Sequence, residues 1–172
     1  MKILQKMQQI ADIGKSTKEM QSEVNVSEVW HMWDMLNARY NILELTNIFH
    51  NFVDSPDFKL VVTQGINLLN KQVKELEKLM IEYGIPMPQK PPEKSNYTIE
   101  VEVITDRFIF TQIYVGIQTF IPIHANAFTQ STSPKIRETY KKLLMDQVDI
   151  YDKFYEYGNL NNWINPTPKY RL

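Results

Sequence analysis

Residues 27–84, SEVWHMWDMLNARYNILELTNIFHNFVDSPDFKLVVTQGINLLNKQVKELEKLMIEYG, decide the fold. They read as two long helices joined at Asp54-Ser55-Pro56. The first spans about 26–53. Asn25 takes the N-cap position and Glu28 stands three residues on, the spacing at which each side chain satisfies a free backbone N–H of the other. Met32, Met35, Leu36, Ile42, Leu43, Phe49 and Val53 recur at helical spacing. Asn37, Asn41, Glu44, Asn47 and Asn51 fall on another face, read as solvated. At the corner Ser55 can cap, Pro56 loses nothing by lacking an N–H, and Asp57 suits the positive helix end. The second helix spans 56–83. It carries Val62, Leu69, Leu76 and Tyr83 at one heptad position and Ile66, Val73 and Met80 at the other. Gly84 and Pro86 then end it.

A similar hairpin follows. Thr105 or Asp106 caps a helix over 106–130 that is apolar nearly all round, as expected of a helix that is central or shared with a second subunit. Pro122 removes a backbone donor inside it and predicts a kink near Gln118. Ser133-Pro134 repeats the cap and proline, opening a helix over 134–157 with Ile136, Tyr140, Leu143, Gln147 and Phe154 inward. In the tail 159–172, Leu160, Trp163 and Ile164 are apolar anchors. Ahead of the first hairpin lie a short amphipathic helix over 2–13 and a polar linker over 15–26. Residues 85–105, rich in proline and then alternating, read as extended.

Four helices without a convincing sheet predict an all-α, up-down four-helix bundle over 1–172. Short loops make each hairpin antiparallel. The stretch between the hairpins, about twenty residues, reaches roughly 65 Å when extended, against about 40 Å for the helix before it. It can cross the whole bundle and set the second and third helices parallel, the arrangement of ferritin-like bundles with one long crossover. Gly65 and Gly116 fall at one height, read as a close helix contact in preference to a ligand niche.

The chain has 172 residues, 43% hydrophobic and 23% charged, ordinary for a globular domain, with a formal net charge of −1 that gives no footprint for nucleic acid. It has no cysteine, which excludes a disulfide framework, thiolate metal ligands and a cysteine nucleophile. The N-terminus lacks the apolar core of a signal peptide, and no uninterrupted apolar run has the roughly 18–20 residues of a transmembrane segment. A cytoplasmic protein is expected.

A ferritin-like dinuclear metal site takes Glu-x-x-His from two helices, which places both ligands on one face. That motif is absent. The histidines are His31, His50 and His124, none with a glutamate three residues before it. His31 and His124, with Glu77 and Glu138 at similar heights, are the candidates for a mononuclear metal site, against a hydrogen-bonded core histidine at position 124. No bound metal or other cofactor is expected. Phosphate loops, nucleophile elbows and His-Glu-x-x-His are also absent.

Three stretches, VWHMWDMLNARYNILELTNIFHNFVDSPDFKLVVTQGINLLNKQVKELEKLMIEYGIPMPQKPP, DRFIFTQIYVGIQTFIPIHANAFTQSTSPKIRETY and DKFYEYGNLNNWINPTPKY, resemble the domain-of-unknown-function family 3231. The resemblance covers roughly residues 24–170. It implies a ferritin-like helical bundle from endospore-forming bacteria, of a kind provisionally labelled spore coat proteins, and brings no established catalytic residues. The expected function is a non-enzymatic structural or interaction protein, spore-associated, homodimeric and with coat or other protein partners. The alternatives are a mononuclear metal-binding or oxidoreductase bundle and a small-ligand carrier.

Overall fold

A computed structural model of the chain describes residues 12–91 and 104–164. The expected helix over 2–13 therefore lies almost wholly outside the described residues, as do most of the crossover and the tail beyond Ile164. The described residues are all-helical and contain no strand. The helices are α1 (Thr17–Ser22), α2 (Val26–Phe52), α3 (Pro56–Glu82), α4 (Asp106–Gln130) and α5 (Pro134–Leu160).

Helix α1 corrects the reading of 15–26 as a linker. Ser16 and Glu19 form a complete capping box. The Ser16 hydroxyl accepts from the Glu19 N–H at 3.3 Å, and the Glu19 carboxylate accepts from the Ser16 N–H at 2.7 Å. The reciprocal bonds offset the nucleation cost of so short a helix, and Met20 is buried beneath it.

Two carboxylates fix the direction of the four long helices. At one end Glu28, fully buried, accepts from the backbone N–H groups of Asn25 (2.8 Å), Thr132 (2.8 Å) and Ser133 (2.6 Å). The start of α2 thus clasps the α4–α5 corner, and Tyr83 at the end of α3 reaches Ser133 at 3.3 Å. At the other end Asp106 accepts from the N–H groups of Asp54 (3.0 Å) and Ser55 (2.9 Å). The start of α4 clasps the α2–α3 corner, while the Tyr157 hydroxyl donates to Asp57 at 2.9 Å. Helices α3 and α4 are therefore parallel.

The two clasps are copies of each other. Glu28 and Asp106 are 78 positions apart, as are Ser55-Pro56 and Ser133-Pro134. The C-terminal caps repeat at the same interval. Gly84 and Asn162 take left-handed backbone conformations (φ 60° and 57°), followed by return bonds from the Ile85 N–H to the Met80 carbonyl (2.9 Å) and from the Trp163 N–H to the Gly158 carbonyl (2.8 Å). One hairpin plan is used twice.

The core forms two clusters. The upper one gathers Met32, Leu36, Leu76, Met80, Ile136 and Tyr140. The lower one gathers Phe58, Val62, Ile109, Phe110 and Phe154. In the tail Trp163 and Ile164 pack on the lower cluster, but Leu160 is 81% exposed. The return bond to Gly158 folds Trp163 back onto the core and leaves Leu160 on the outer side of the last turn.

Candidate functional site

Between the two apolar clusters lies a polar layer. Arg39 is the midpoint residue of α2 and Gln147 the midpoint residue of α5. Arg39 is 2% exposed, and its Nη2 donates to Nε2 of His124 at 2.8 Å and to Oε1 of Gln147 at 3.1 Å. A guanidinium has only donors, so His124 Nε2 is the acceptor and the ring proton sits on Nδ1. That atom is buried without a hydrogen-bond partner, as is Arg39 Nε. Gln147 completes the layer by donating Nε2–H to the Ile117 carbonyl at 3.0 Å. Pro122 lies inside α4 and, lacking an N–H, leaves the Gln118 carbonyl without its helical donor, one residue along from the carbonyl that Gln147 bonds.

The electrostatics of the layer follow from burial. Burial lowers the Arg39 pKa to about 10, with the charge of Asp146 pulling the other way. The side chain therefore stays cationic at neutral pH. Burial, and then the neighbouring Arg39 charge, brings His124 down to about 3, so its ring is neutral. Among the described residues Arg39 makes no ion pair. The Phe120 ring, 4.9 Å from the guanidinium carbon, contributes a cation–π contact.

The candidate metal ligands are not brought together. His31 Nε2 pairs with Gln130 Oε1 at 2.8 Å, and its ring meets the edge of Tyr140. His124 has given its Nε2 to Arg39. Glu77 accepts from the Tyr40 hydroxyl (2.7 Å) and from Lys90 (2.9 Å). Burial alone would raise its pKa, but those two bonds and the Lys90 charge hold it below the ordinary value. Glu138 is half-buried on α5 and shares none of these contacts. The described residues hold no group of three or more histidine, aspartate, glutamate or cysteine side chains placed for one ion.

The close contact expected at Gly65 and Gly116 is corrected. A Cβ built on either residue meets nothing within 4 Å. Gly65 borders a groove of about 300 Å³ between α3 and α5, with Val61, Leu68 and Phe154 as its apolar part and Asp146, Asp149 and Lys153 as its charged part. No residue of α4 lines it, so the two glycines do not share a niche.

Sequence reasoning missed Arg39. The available signal was its spacing, since it lies three residues after Leu36 and four after Met35 and so continues the buried stripe. Helix α4 carries the other distinctive feature. From Phe108 to Gln130 it has no acidic, lysine or arginine residue. Among the described residues it alone is long and apolar enough to cross a membrane, by length and composition. In the bundle it buries Ile109, Phe110, Ile117, His124 and Ala127. Phe108, Gln112, Val115, Thr119, Pro122 and Asn126 are all exposed, at alternating spacings of four and three.

No curated protein matches the sequence. A crystal structure described as that of a "putative spore coat protein" from Bacillus halodurans C-125 matches with a TM-score of 0.80 at 18% identity, over 86% of this chain and 96% of that one. That likeness speaks for the fold alone. The profile of one family matches residues 12–171, which takes in every described residue. The chain belongs to that family, Protein of unknown function (DUF3231).

Proposed function

We propose that the chain is a non-enzymatic, ferritin-like scaffold protein. It acts in the cytoplasm of a sporulating cell, associates with the spore, and works by pairing with a second copy and with coat or other protein partners. The observation that carries this reading is the exposed, uncharged stripe on α4. Its apolar members Phe108, Val115 and Pro122 recur every seven residues, the repeat at which two helices keep one seam facing a partner. A charged partner finds no complement there, whereas an identical stripe related by a two-fold axis does. The parallel α3 and α4, with one long crossover, support the ferritin-like reading. The bundle centre supports a role without metal chemistry, because a fixed guanidinium occupies the layer where such bundles place metal-binding carboxylates. The spore association rests on the description of the structural relative.

Sedimentation equilibrium at micromolar concentration tests the pairing. The wild-type chain is expected to sediment as a dimer, and Val115→Glu, which puts a like charge into each half of the seam, as a folded monomer. A wild-type monomer refutes the seam, as does a dimer indifferent to Val115→Glu.

A further inference from the structure

On the side of α4 turned toward α5, sharing Val115 with the edge of the stripe, lies a second groove, of about 410 Å³. Its walls are aromatic. Tyr114 on α4 and Tyr151 on α5 stack with ring centroids 5.4 Å apart, and Tyr114 donates its hydroxyl proton to the Tyr151 oxygen at 3.0 Å. The Tyr151 proton is then free to donate outward. Tyr155 extends the wall and is 41% exposed. The lower end is closed by Trp163, 5.4 Å from the Phe110 ring.

This end is built by backbone geometry. The left-handed Asn162 and the return bond to Gly158 place Trp163. Phe110 lies over Gly158 so closely that a Cβ there would stand 2.2 Å from its Cζ. One charged side chain lines the groove, Arg107, at its mouth. Among the described residues its guanidinium makes no ion pair or hydrogen bond. The neighbouring Asp106 carboxylate is committed to the α2–α3 corner and does not neutralise it.

Aromatic walls, the hydroxyls of Tyr151 and Tyr155 and one unpaired guanidinium define a ligand class. The volume lies within the range of small-molecule sites, and a few convergent polar groups on an aromatic lining are their usual chemistry. A flat ring gains stacking and burial against Tyr151 and Trp163. A carboxylate on that ring meets Arg107 in the two-pronged geometry that a guanidinium offers and an ammonium does not. We infer that the groove between α4 and α5 is a binding site for small aromatic carboxylates, with Arg107 as the anion anchor. No bond is made or broken, and the site binds without reacting.

The probe is 2-naphthoate, titrated into the full chain and followed by tryptophan fluorescence and by calorimetry, with 2-naphthalenemethanol as its uncharged counterpart. Saturable binding of naphthoate at one per chain is expected, at least tenfold tighter than the alcohol. Arg107 is exposed, so Arg107→Gln is expected to keep the fold by circular dichroism while weakening naphthoate at least tenfold and leaving the alcohol unchanged. Thr111→Trp, which fills the groove from an exposed position, should abolish both. Absence of saturable binding up to 2 mM, equal affinity for the alcohol, or unaltered naphthoate binding in Arg107→Gln would each overturn the assignment.

Discussion

Arg39 holds a full positive charge at the centre of the bundle with no carboxylate paired to it among the described residues, and the nearest residues answer that charge in different ways. Gln147 offers a neutral oxygen, Phe120 a ring face, and His124 a lone pair that it keeps only while unprotonated. This makes stability depend on pH with a definite sign. The folded pKa of His124 is about 3 against an ordinary 6.5, so between those values the unfolded chain binds a proton that the folded chain refuses. Stability is therefore lost as pH falls below about 6.5, with a slope approaching ~1.4 kcal/mol per unit. Urea unfolding at pH 7 and pH 5 should show the wild type losing about 2 kcal/mol more than His124→Gln over that interval. Equal losses would mean that the ring is protonated in the fold. The histidine was legible in the sequence as a hydrogen-bonded core residue. Its partner was not, because arginine is a surface residue by default and only the register of the stripe marks Arg39 as buried.

At the scale of elements, local chemistry was the most legible part of the chain. The Asn25–Glu28 capping box reads directly from residue order and forms at 2.9 Å from the Glu28 N–H to the Asn25 side chain. The same pattern at Ser16–Glu19 went unread because only one buried residue, Met20, follows it, too little periodicity to announce a helix. The second role of Glu28, clasping the distant α4–α5 corner, is a tertiary fact that local order does not contain. Glycines were the least legible, since a helical glycine signals equally a close approach or nothing at all. Two substitutions separate these cases. Gly65→Ala has open space and should stabilise by about 0.5–1 kcal/mol through helix propensity. Gly158→Ala drives a methyl into the buried Phe110 ring and should destabilise by about 1–3 kcal/mol. Thermal melts of the two variants should move in opposite directions, and a shift of the same sign would refute the packing described around one of them.

At the scale of the whole molecule, the parallel setting of α3 and α4 was readable from loop lengths alone, because only an extended crossover can span a helix of this length. What the sequence could not supply was the order of side chains across the bundle. The heights read from the sequence put His31, His124, Glu77 and Glu138 together, but His31 pairs with Gln130 at the end of α4 while His124 meets Arg39 at the middle of α2, about 12 Å further along, and height along an axis says nothing about rotation around it. Arg39 sets an organic cation at the middle of the bundle, and no metal ion is expected beside it. The most direct test is the metal content of protein purified without a histidine tag, before and after exposure to ferrous iron, manganese and zinc. No stoichiometric ion is expected, and no difference between the wild type and His124→Ala. One or more equivalents of metal that disappear in His124→Ala would contradict that expectation.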